Sequence, residues 1–465
     1  MHCNWRDCQQ WRDEKLPLTT TSDEAAKMFD AVVTQYVGWY DDVSVGGIDE
    51  AVNKMITADP QFVMGNVVKN GLDLLGTGKT VNLDPEFKLD IEKLNKLCEA
   101  RNITNREKQH VEAIKQFANG RTDNAYNAWE SIISEHPHDM LALKFAHDTY
   151  FYLGLKTDMR DSTGRVIKKW NDNIPLYGYL LGMHSFGLEE TDLFDEAEKT
   201  AKKSLFMNKH DAWATHTMCH VMEMTGRQDD GIQFLDKTVN DWTICNMLAC
   251  HNFWHWCLYY IEKGDYEEAL TIFDNEINRR AQKSGAMLDI VDAASLLYRL
   301  KLEGVDIGDR WNDVYELCRP HCEDHILAFN DIHILMACLG ANQKQATDQL
   351  MSSLRDYCKG ESSKNQTISK LYGEPICQAM ILYDEGRVEE AVDILQPLRH
   401  QIQYIGGSNA QRDVFNLFLI QAALKSSKKE HHALAKIMLQ EKQKVKQTAP
   451  MADRLMARLL ALHTD

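Results

Sequence analysis

Three side chains that could share a chemical task lie at helical spacing near the middle of the chain. His216, His220 and Glu223 occupy positions i, i+4 and i+7, which fall on one face of a helix. Two imidazoles one turn apart can bind the same metal ion, and a third ligand would complete a site of the catalytic type. A histidine beside a glutamate could equally exchange protons near neutral pH.

The same face has a simpler interpretation, because H-x-x-x-H is a frequent pattern in helices. The side chains could line a groove that contacts a ligand, or they could be partly buried histidines whose nitrogens are satisfied by neighbouring groups. We take the ligand-contacting groove as the leading interpretation. Metal binding or acid–base catalysis is the alternative.

The elements that must position these residues follow an internal repeat. Gly264, Ala269 and Phe273 show its pattern, and the segments 386–395 and 120–129 repeat it with a large apolar residue in the last place. Gly permits the positive φ that ends a first helix, Ala lets a second helix approach closely, and the large residue packs on the same face. These offsets and a unit of about 34 residues are typical of the tetratricopeptide repeat. The sequence therefore predicts an all-α fold, an α-solenoid of tetratricopeptide-like antiparallel helix pairs.

Several longer segments carry a more specific resemblance. The segments LPLTTTSDEAAKMFDAVVTQYVGW, DMLALKFAHDTYFYLG, LACHNFWHW and GGSNAQRDVFN span from about Pro17 to Asn416. Together they resemble the tetratricopeptide repeat protein 38 family. The resemblance implies a cytosolic α-solenoid, and it implies no particular activity.

The pattern continues along the chain without a clear break. We therefore predict a single tetratricopeptide-like domain over residues 17–465. Residues 1–16 precede the first predicted helix and are expected to form an N-terminal arm that docks or frays.

The turn glycines predict which residues face the concave surface. In the tetratricopeptide repeat the first helix of each unit lines that surface, and counting back from Gly154, Gly226 and Gly264 gives the register. The residues placed in the groove are Lys144, Asp148, His216, His220, Glu223, His251 and Trp254. His255 falls at the border of this face.

A further candidate lies near the C-terminus. Ser408 and Gln411 have the spacing of a capping box, in which each side chain bonds the other residue's backbone N–H. Arg412 would then lie near the start of a helix, where its charge opposes the helix dipole. We expect a specific partner for Arg412, first a structural pair and second a bound anion.

These residues lead to two functional hypotheses. The first is a binding or scaffold protein, without a cofactor, whose groove holds a protein segment or a small-molecule ligand. The alternative is a metal-assisted hydrolase or lyase that holds zinc or another divalent metal through His216, His220 and His251. In that case Glu223 or Asp148 would act as base on a bound water. A third possibility is a structural array that joins larger partners through its convex face.

Charge and composition restrict the partners. The chain has 69 acidic and 52 Lys or Arg residues, a formal net charge of −17, so neither nucleic acid nor a membrane surface is expected to bind. No signal-like or membrane-length apolar run is present in the sequence. The 12 cysteines lack the spacing of a disulfide framework. We therefore expect a reduced, cytoplasmic protein.

Two other motifs are weaker. Cys318, His321, Cys322 and His325 could bind zinc, but the paired spacing of common zinc sites is absent, so a helix end is the first interpretation. Gly78-Lys79-Thr80 matches the last three residues of the phosphate-binding loop motif, but the first Gly of that motif is absent. We therefore interpret the segment as a helix-ending turn.

Overall fold

The computed structural model describes residues 3–462, so Met1, His2 and residues 463–465 of the predicted arm and domain lie outside the described part. Within residues 3–462 the chain is helical and contains no β-strand. No helix in this range is both long enough and apolar enough to cross a bilayer. In chain order the helices are α1 (Cys8–Asp13), α2 (Asp23–Gly38), α3 (Ile48–Ala58), α4 (Val63–Leu75), α5 (Pro85–Ala100), α6 (Asn105–Ala118), α7 (Thr122–Glu135), α8 (Met140–Leu153), α9 (Lys156–Val166), α10 (Tyr177–Glu190), α11 (Phe194–Met207), α12 (Ala212–Met224), α13 (Gln228–Trp242), α14 (Asn246–Lys263), α15 (Tyr266–Ile272), α16 (Arg279–Ser284), α17 (Met287–Leu302), α18 (Arg310–Cys318), α19 (Ala328–Gly340), α20 (Lys344–Tyr357), α21 (Lys364–Ile368), α22 (Glu374–Asp384), α23 (Val388–Leu395), α24 (Asn409–Lys425), α25 (Lys429–Val445) and α26 (Pro450–Ala461).

Short segments of other helical types complete the chain. Two π-helical turns, Phe273–Asn278 and Ser369–Gly373, join α15 to α16 and α21 to α22. Four 3-10 segments follow longer helices or precede α24. They are Ile167–Lys169, Arg319–His321, Gln396–Leu398 and Ile402–Ile405.

The helices stack in sequence order. α10 contacts both α11 and α12, and α12 contacts both α13 and α14. The series continues as α14 contacts α17 and α17 contacts α19. Contacts between each helix and the next units are what define a solenoid. The predicted all-α solenoid is confirmed.

The helices are of two kinds, enclosed and outer. α8, α12, α14, α17 and α24 are buried on nearly all sides. α11, α13, α20 and α23 bury only one face. A helix that is apolar all round has to be covered, and amphipathic helices provide the cover. Side chains on the enclosed helices therefore meet in the interior of the molecule.

Local signals explain where the enclosed helices begin and end. The carboxylates of Asp139 and Asp211 cap α8 and α12 by accepting a backbone N–H three residues later, at 3.0 and 3.1 Å. Gly154 and Gly264 end α8 and α14 with φ of 65° and 88°. This left-handed conformation favours glycine and closes the helix with short backbone hydrogen bonds.

The C-terminal helices fold back onto the enclosed ones. α24 contacts α12 and α17, and the segment Ile402–Ile405 contacts α8. The capping box predicted for Ser408 and Gln411 is confirmed at the start of α24. A Cβ at Gly154 would lie 1.8 Å from the Gln403 carbonyl oxygen, so the two segments touch through their backbones. The chain's own C-terminal region thus covers part of the enclosed helices.

The described residues of the predicted N-terminal arm are docked. The Arg6 guanidinium lies 2.6 Å from an Asp30 carboxylate oxygen and 3.8 Å from the ring centre of Trp11. Trp11 and Cys8 on α1 are buried. A charge-assisted hydrogen bond and an aromatic contact together hold this short helix against α2.

Candidate metal centre

Four imidazoles converge in the interior between α12 and α14. His216 and His220 come from α12, His251 and His255 from α14, and one ring nitrogen of each lies within 4.8 Å of those of the others. All four side chains are buried, with at most 4% exposed. His216 Nε2 lies 2.9 Å from Nε2 of His220 and 2.9 Å from Nε2 of His251. The three histidines of the predicted metal alternative are therefore adjacent, and His255 joins them.

The two helices present matching pairs of histidines. His216 and His251 are 35 residues apart, and His220 and His255 have the same separation. This interval is close to the length of a tetratricopeptide unit, although His216 lies ten residues before Gly226 and His251 thirteen before Gly264. His255 was assigned only to the border of the face. The recurrence of H-x-x-x-H at the repeat interval is the signal that identifies it.

Carboxylates hold two of the rings from behind. His251 Nδ1 lies 2.6 Å from Asp292 Oδ2, and His255 Nδ1 lies 3.0 Å from Glu223 Oε2. Because an ionised carboxylate only accepts hydrogen bonds, each Nδ1 carries the proton and donates it. Each Nε2 is then left with a lone pair. This arrangement of carboxylate, histidine and free nitrogen is common around metal ions, where it fixes ring orientation and raises ligand basicity.

His220 has two acidic neighbours on α10. Its Nδ1 lies 3.2 Å from Glu189 Oε2 and 4.0 Å from Glu190 Oε1. The Glu189 contact is not aligned as a hydrogen bond. Glu190 is held more firmly, because its Oε2 lies 3.0 Å from Arg412 Nη2 and its Oε1 accepts the Asn409 backbone N–H at 2.6 Å. Arg412 thus has the structural partner that its position predicted.

Burial favours the neutral form of three of the imidazoles. It lowers the pKa of His220 to about 4, and burial with the neighbouring histidines lowers the pKa of His216 and His255 well below the usual value. His216 Nε2 faces two other Nε2 atoms but can hold only one proton to donate. His255 Nε2 has no hydrogen-bond partner. Buried nitrogen lone pairs are therefore left without donors, and a bound cation would satisfy them.

An aromatic shell surrounds the four rings. Phe186 lies 4.9 Å from His216 and 5.3 Å from His220 between ring centres. Trp254, which was placed in the groove, instead stacks on His251 at 5.1 Å with an interplanar angle of 13°. These apolar rings exclude water and strengthen electrostatic interactions at the centre.

Lys144 and Asp148 form a separate buried pair. Both Asp148 oxygens lie within 2.6 Å of Lys144 Nζ, and the Tyr36 hydroxyl donates to the same carboxylate. Three aromatic rings enclose the ammonium, those of Tyr36, Trp39 and Trp213 at 4.5, 4.9 and 5.0 Å. Asp148 is therefore engaged as the counter-ion of Lys144 and is not among the converging metal-ligand atoms.

The expectation of a solvent-open groove at the predicted residues is wrong for this structure. The C-terminal region and neighbouring helices cover them, so Glu223 keeps only 12% of its side chain exposed, and its Oε2 accepts a hydrogen bond from His255 Nδ1. It orients a ring and is not a free base. The remaining predicted groove residues are all buried: Lys144, Asp148, His216, His220, His251, Trp254 and Arg412.

The cysteine and histidine motif near residue 320 does not converge. His321 Nδ1 lies 2.7 Å from Asp324, and His325 Nδ1 lies 3.1 Å from Asp331. Across residues 3–462, three or more potential ligands meet in two places only, the four-histidine centre and the group of Glu189, Glu190 and His220.

A polar cavity adjoins the centre. Its volume is about 20 Å³, room for roughly one water molecule, and it is lined by Glu223, whose carboxylate supports His255. Arg299, Asp413 and Lys446 contribute charges to its wall. Four imidazole nitrogens suit zinc, copper, iron or nickel. No protein-family model matches the chain.

Proposed function

We propose that this protein binds a divalent transition-metal ion through His216, His220, His251 and His255 inside its helical solenoid. The observation that carries the proposal is the convergence of four buried ring nitrogens within 4.8 Å. Zinc–nitrogen bonds of about 2.1 Å in a tetrahedral site separate the nitrogens by roughly 3.4 Å. The 2.9 Å contacts to His216 would need to open by about half an ångström, which small ring movements supply.

Two further features support a metal. His251 and His255 already have the carboxylate partners that orient metal-binding imidazoles. The helices around the centre also bury an extensive apolar core, which fixes their positions. A catalytic role requires that the metal keep one position for water or substrate beside its histidine ligands.

The chemistry we favour is metal-assisted hydrolysis or a lyase reaction on a small polar molecule. The specific observation is the charged cavity beside Glu223, the residue that orients His255, with Arg299 and Lys446 in its wall. The cavity has room for about one water molecule, and a bound metal would activate a water that passed from it to the ligand set.

We also propose that the scaffold is tetratricopeptide-like and related to the tetratricopeptide repeat protein 38 family. The turn glycines predicted from the repeat support this, since Gly120, Gly226, Gly264 and Gly386 all adopt positive φ. Each lies between two helices that contact each other. The histidine pairs on α12 and α14 are 35 residues apart, close to the length of one such unit.

Metal content provides the test. The protein is purified without a tag from cells grown with added zinc, iron or copper, and metal is measured by mass spectrometry. We expect stoichiometric metal in the parent and its loss in the His216→Ala, His220→Ala double variant. The exposed His400→Ala is the control and should retain the metal. A metal-free parent, also after refolding with each ion, would refute the proposal.

The catalytic part is tested on the same preparations. Chromogenic esters and phosphate esters report hydrolysis, and the metal-loaded parent should exceed the double variant by at least tenfold. Equal rates in the two proteins would contradict the proposed hydrolase activity and leave metal binding as the remaining proposal.

A further inference from the structure

Glu189 is a buried carboxylic side chain beside the four-histidine centre. It is 0% exposed, yet neither carboxylate oxygen has a hydrogen-bond donor. A buried carboxylate without donors is unfavourable unless a proton or a cation neutralises it.

Two other ligand atoms lie beside it. His220 Nδ1 is 3.2 Å from Glu189 Oε2 and has no hydrogen-bond partner either. Glu190 Oε1 is 4.0 Å from the same nitrogen. These three residues bring their ligand atoms within 4.8 Å of one another, and all three are buried.

The two groups of ligands share one ring. His220 Nε2 faces His216 in the four-histidine centre, while its Nδ1 faces Glu189 and Glu190 on the opposite side. An imidazole that loses its remaining proton can bind a cation at each nitrogen. We propose that His220 bridges two metal ions, the second held by His220 Nδ1, Glu189 and Glu190. This inference rests on the proposed function for the first ion.

The charges at the second site allow a divalent cation. Glu189 and Glu190 contribute two negative charges, and Arg412 beside Glu190 Oε2 contributes one positive charge. Glu190 Oε1 accepts the Asn409 N–H and retains a second lone pair for an ion. Two carboxylates with one imidazole suit iron(II), manganese(II) or zinc(II), a harder set than the four imidazoles. Binding of both ions releases the ring proton of His220 to solvent.

The number of ions separates the two proposals. Titration of metal-free protein with zinc should give two ions per chain in the parent and one in Glu189→Gln. Glu196→Gln on the exposed part of α11 is the matched control and should bind two. No zinc in the parent would refute the first proposal and this one together. One ion in both the parent and Glu189→Gln would overturn the second site alone.

A measurement on the parent keeps the test independent of how the variant folds. Copper(II) at both sites should show the magnetic coupling of an imidazolate-bridged pair, seen as loss of the isolated-copper signal in electron paramagnetic resonance. The signal of isolated copper should return in Glu189→Gln. Uncoupled copper in a parent that holds two ions would overturn the bridge.

Discussion

At the scale of the residue, hydrogen bonds decide which nitrogens are available as ligands. Asp292 and Glu223 fix the protons of His251 and His255 at Nδ1, so both Nε2 atoms are free. Asp292 is in turn held through its other oxygen by Gln411 of α24 at 3.2 Å. The centre is therefore supported by a second layer of contacts from helices distant in sequence.

The sequence predicted the histidines better than it predicted their partners. His216 and His220 were identified because spacing along one helix depends only on helix geometry. Asp292 and Glu189 were not identified, because they come from α17 and α10 and their approach depends on how the repeats are rotated. Trp254 was placed in a groove by register alone, and the register contains no information on what covers a helix.

A buried histidine outside the centre gives a pH prediction. Burial lowers the pKa of His333 from 6.5 to about 4, while its Nδ1 bonds the Phe329 carbonyl oxygen at 2.7 Å. Below about pH 6.5 the His333 ring is protonated in the unfolded chain, whereas in the folded chain it stays neutral down to about pH 4. This difference leaves the free energy of unfolding unchanged above pH 6.5 and decreases it as the pH falls toward 4.

Replacing the His333 ring should reduce the loss of unfolding free energy at acid pH. We expect His333→Gln to lose about 3 kcal/mol less unfolding free energy than the parent between pH 7 and 4. Urea unfolding at a series of pH values measures it, with the exposed His400→Gln as control. An unchanged slope in His333→Gln would show that this ring is protonated in the folded protein.

At the scale of the element, glycine is required at helix-ending turns for two different reasons. Gly154 and Gly386 both have positive φ, at 65° and 81°. A Cβ at Gly386 would meet nothing within 4 Å, whereas one at Gly154 would meet the Gln403 carbonyl oxygen at 1.8 Å. The first reason is the positive φ, which is predictable from the repeat. The second is the lack of space for a Cβ, which arises from the fold-back of the segment before α24 and which no local pattern indicates.

Alanine variants at the two positions distinguish the conformational cost from the steric cost. Gly386→Ala should cost about 1–2 kcal/mol for the left-handed conformation alone. Gly154→Ala should cost this and roughly 1–3 kcal/mol more, because the backbone of residue 403 has to move. Denaturant unfolding of both variants measures the difference. Equal losses would mean that the segment Ile402–Ile405 does not press on the end of α8 in solution.

At the scale of the whole molecule, α24 connects parts of the solenoid that are far apart in the chain. Arg412 bonds Glu190 across 222 residues, and the Arg299 guanidinium donates to the Ala410 carbonyl oxygen across 111 residues. The solenoid class was predictable because its repeat is local. The fold-back of α24 was not, because it depends on contacts with helices far from it in the sequence.

Loss of Arg412 should therefore weaken the molecule as a whole. Arg412→Leu leaves the buried Glu190 without its counter-charge, and we expect a loss of about 3–5 kcal/mol in unfolding free energy. Arg387→Leu removes a solvent-exposed partner of Glu390 and should change stability little. Hydrogen exchange should show α10 and α24 losing protection together in Arg412→Leu. Protection lost in α24 alone would argue against the connection.

Burial of the four imidazoles also determines when an ion can enter. All four belong to α12 and α14, which leave the ribosome well before α24 is synthesised. An ion captured by that nascent segment would be enclosed once the C-terminal helices fold back, and it would afterwards exchange slowly. The metal found in the protein would then depend mainly on which ion was available during translation. It would depend only weakly on the affinity of the folded protein for each ion.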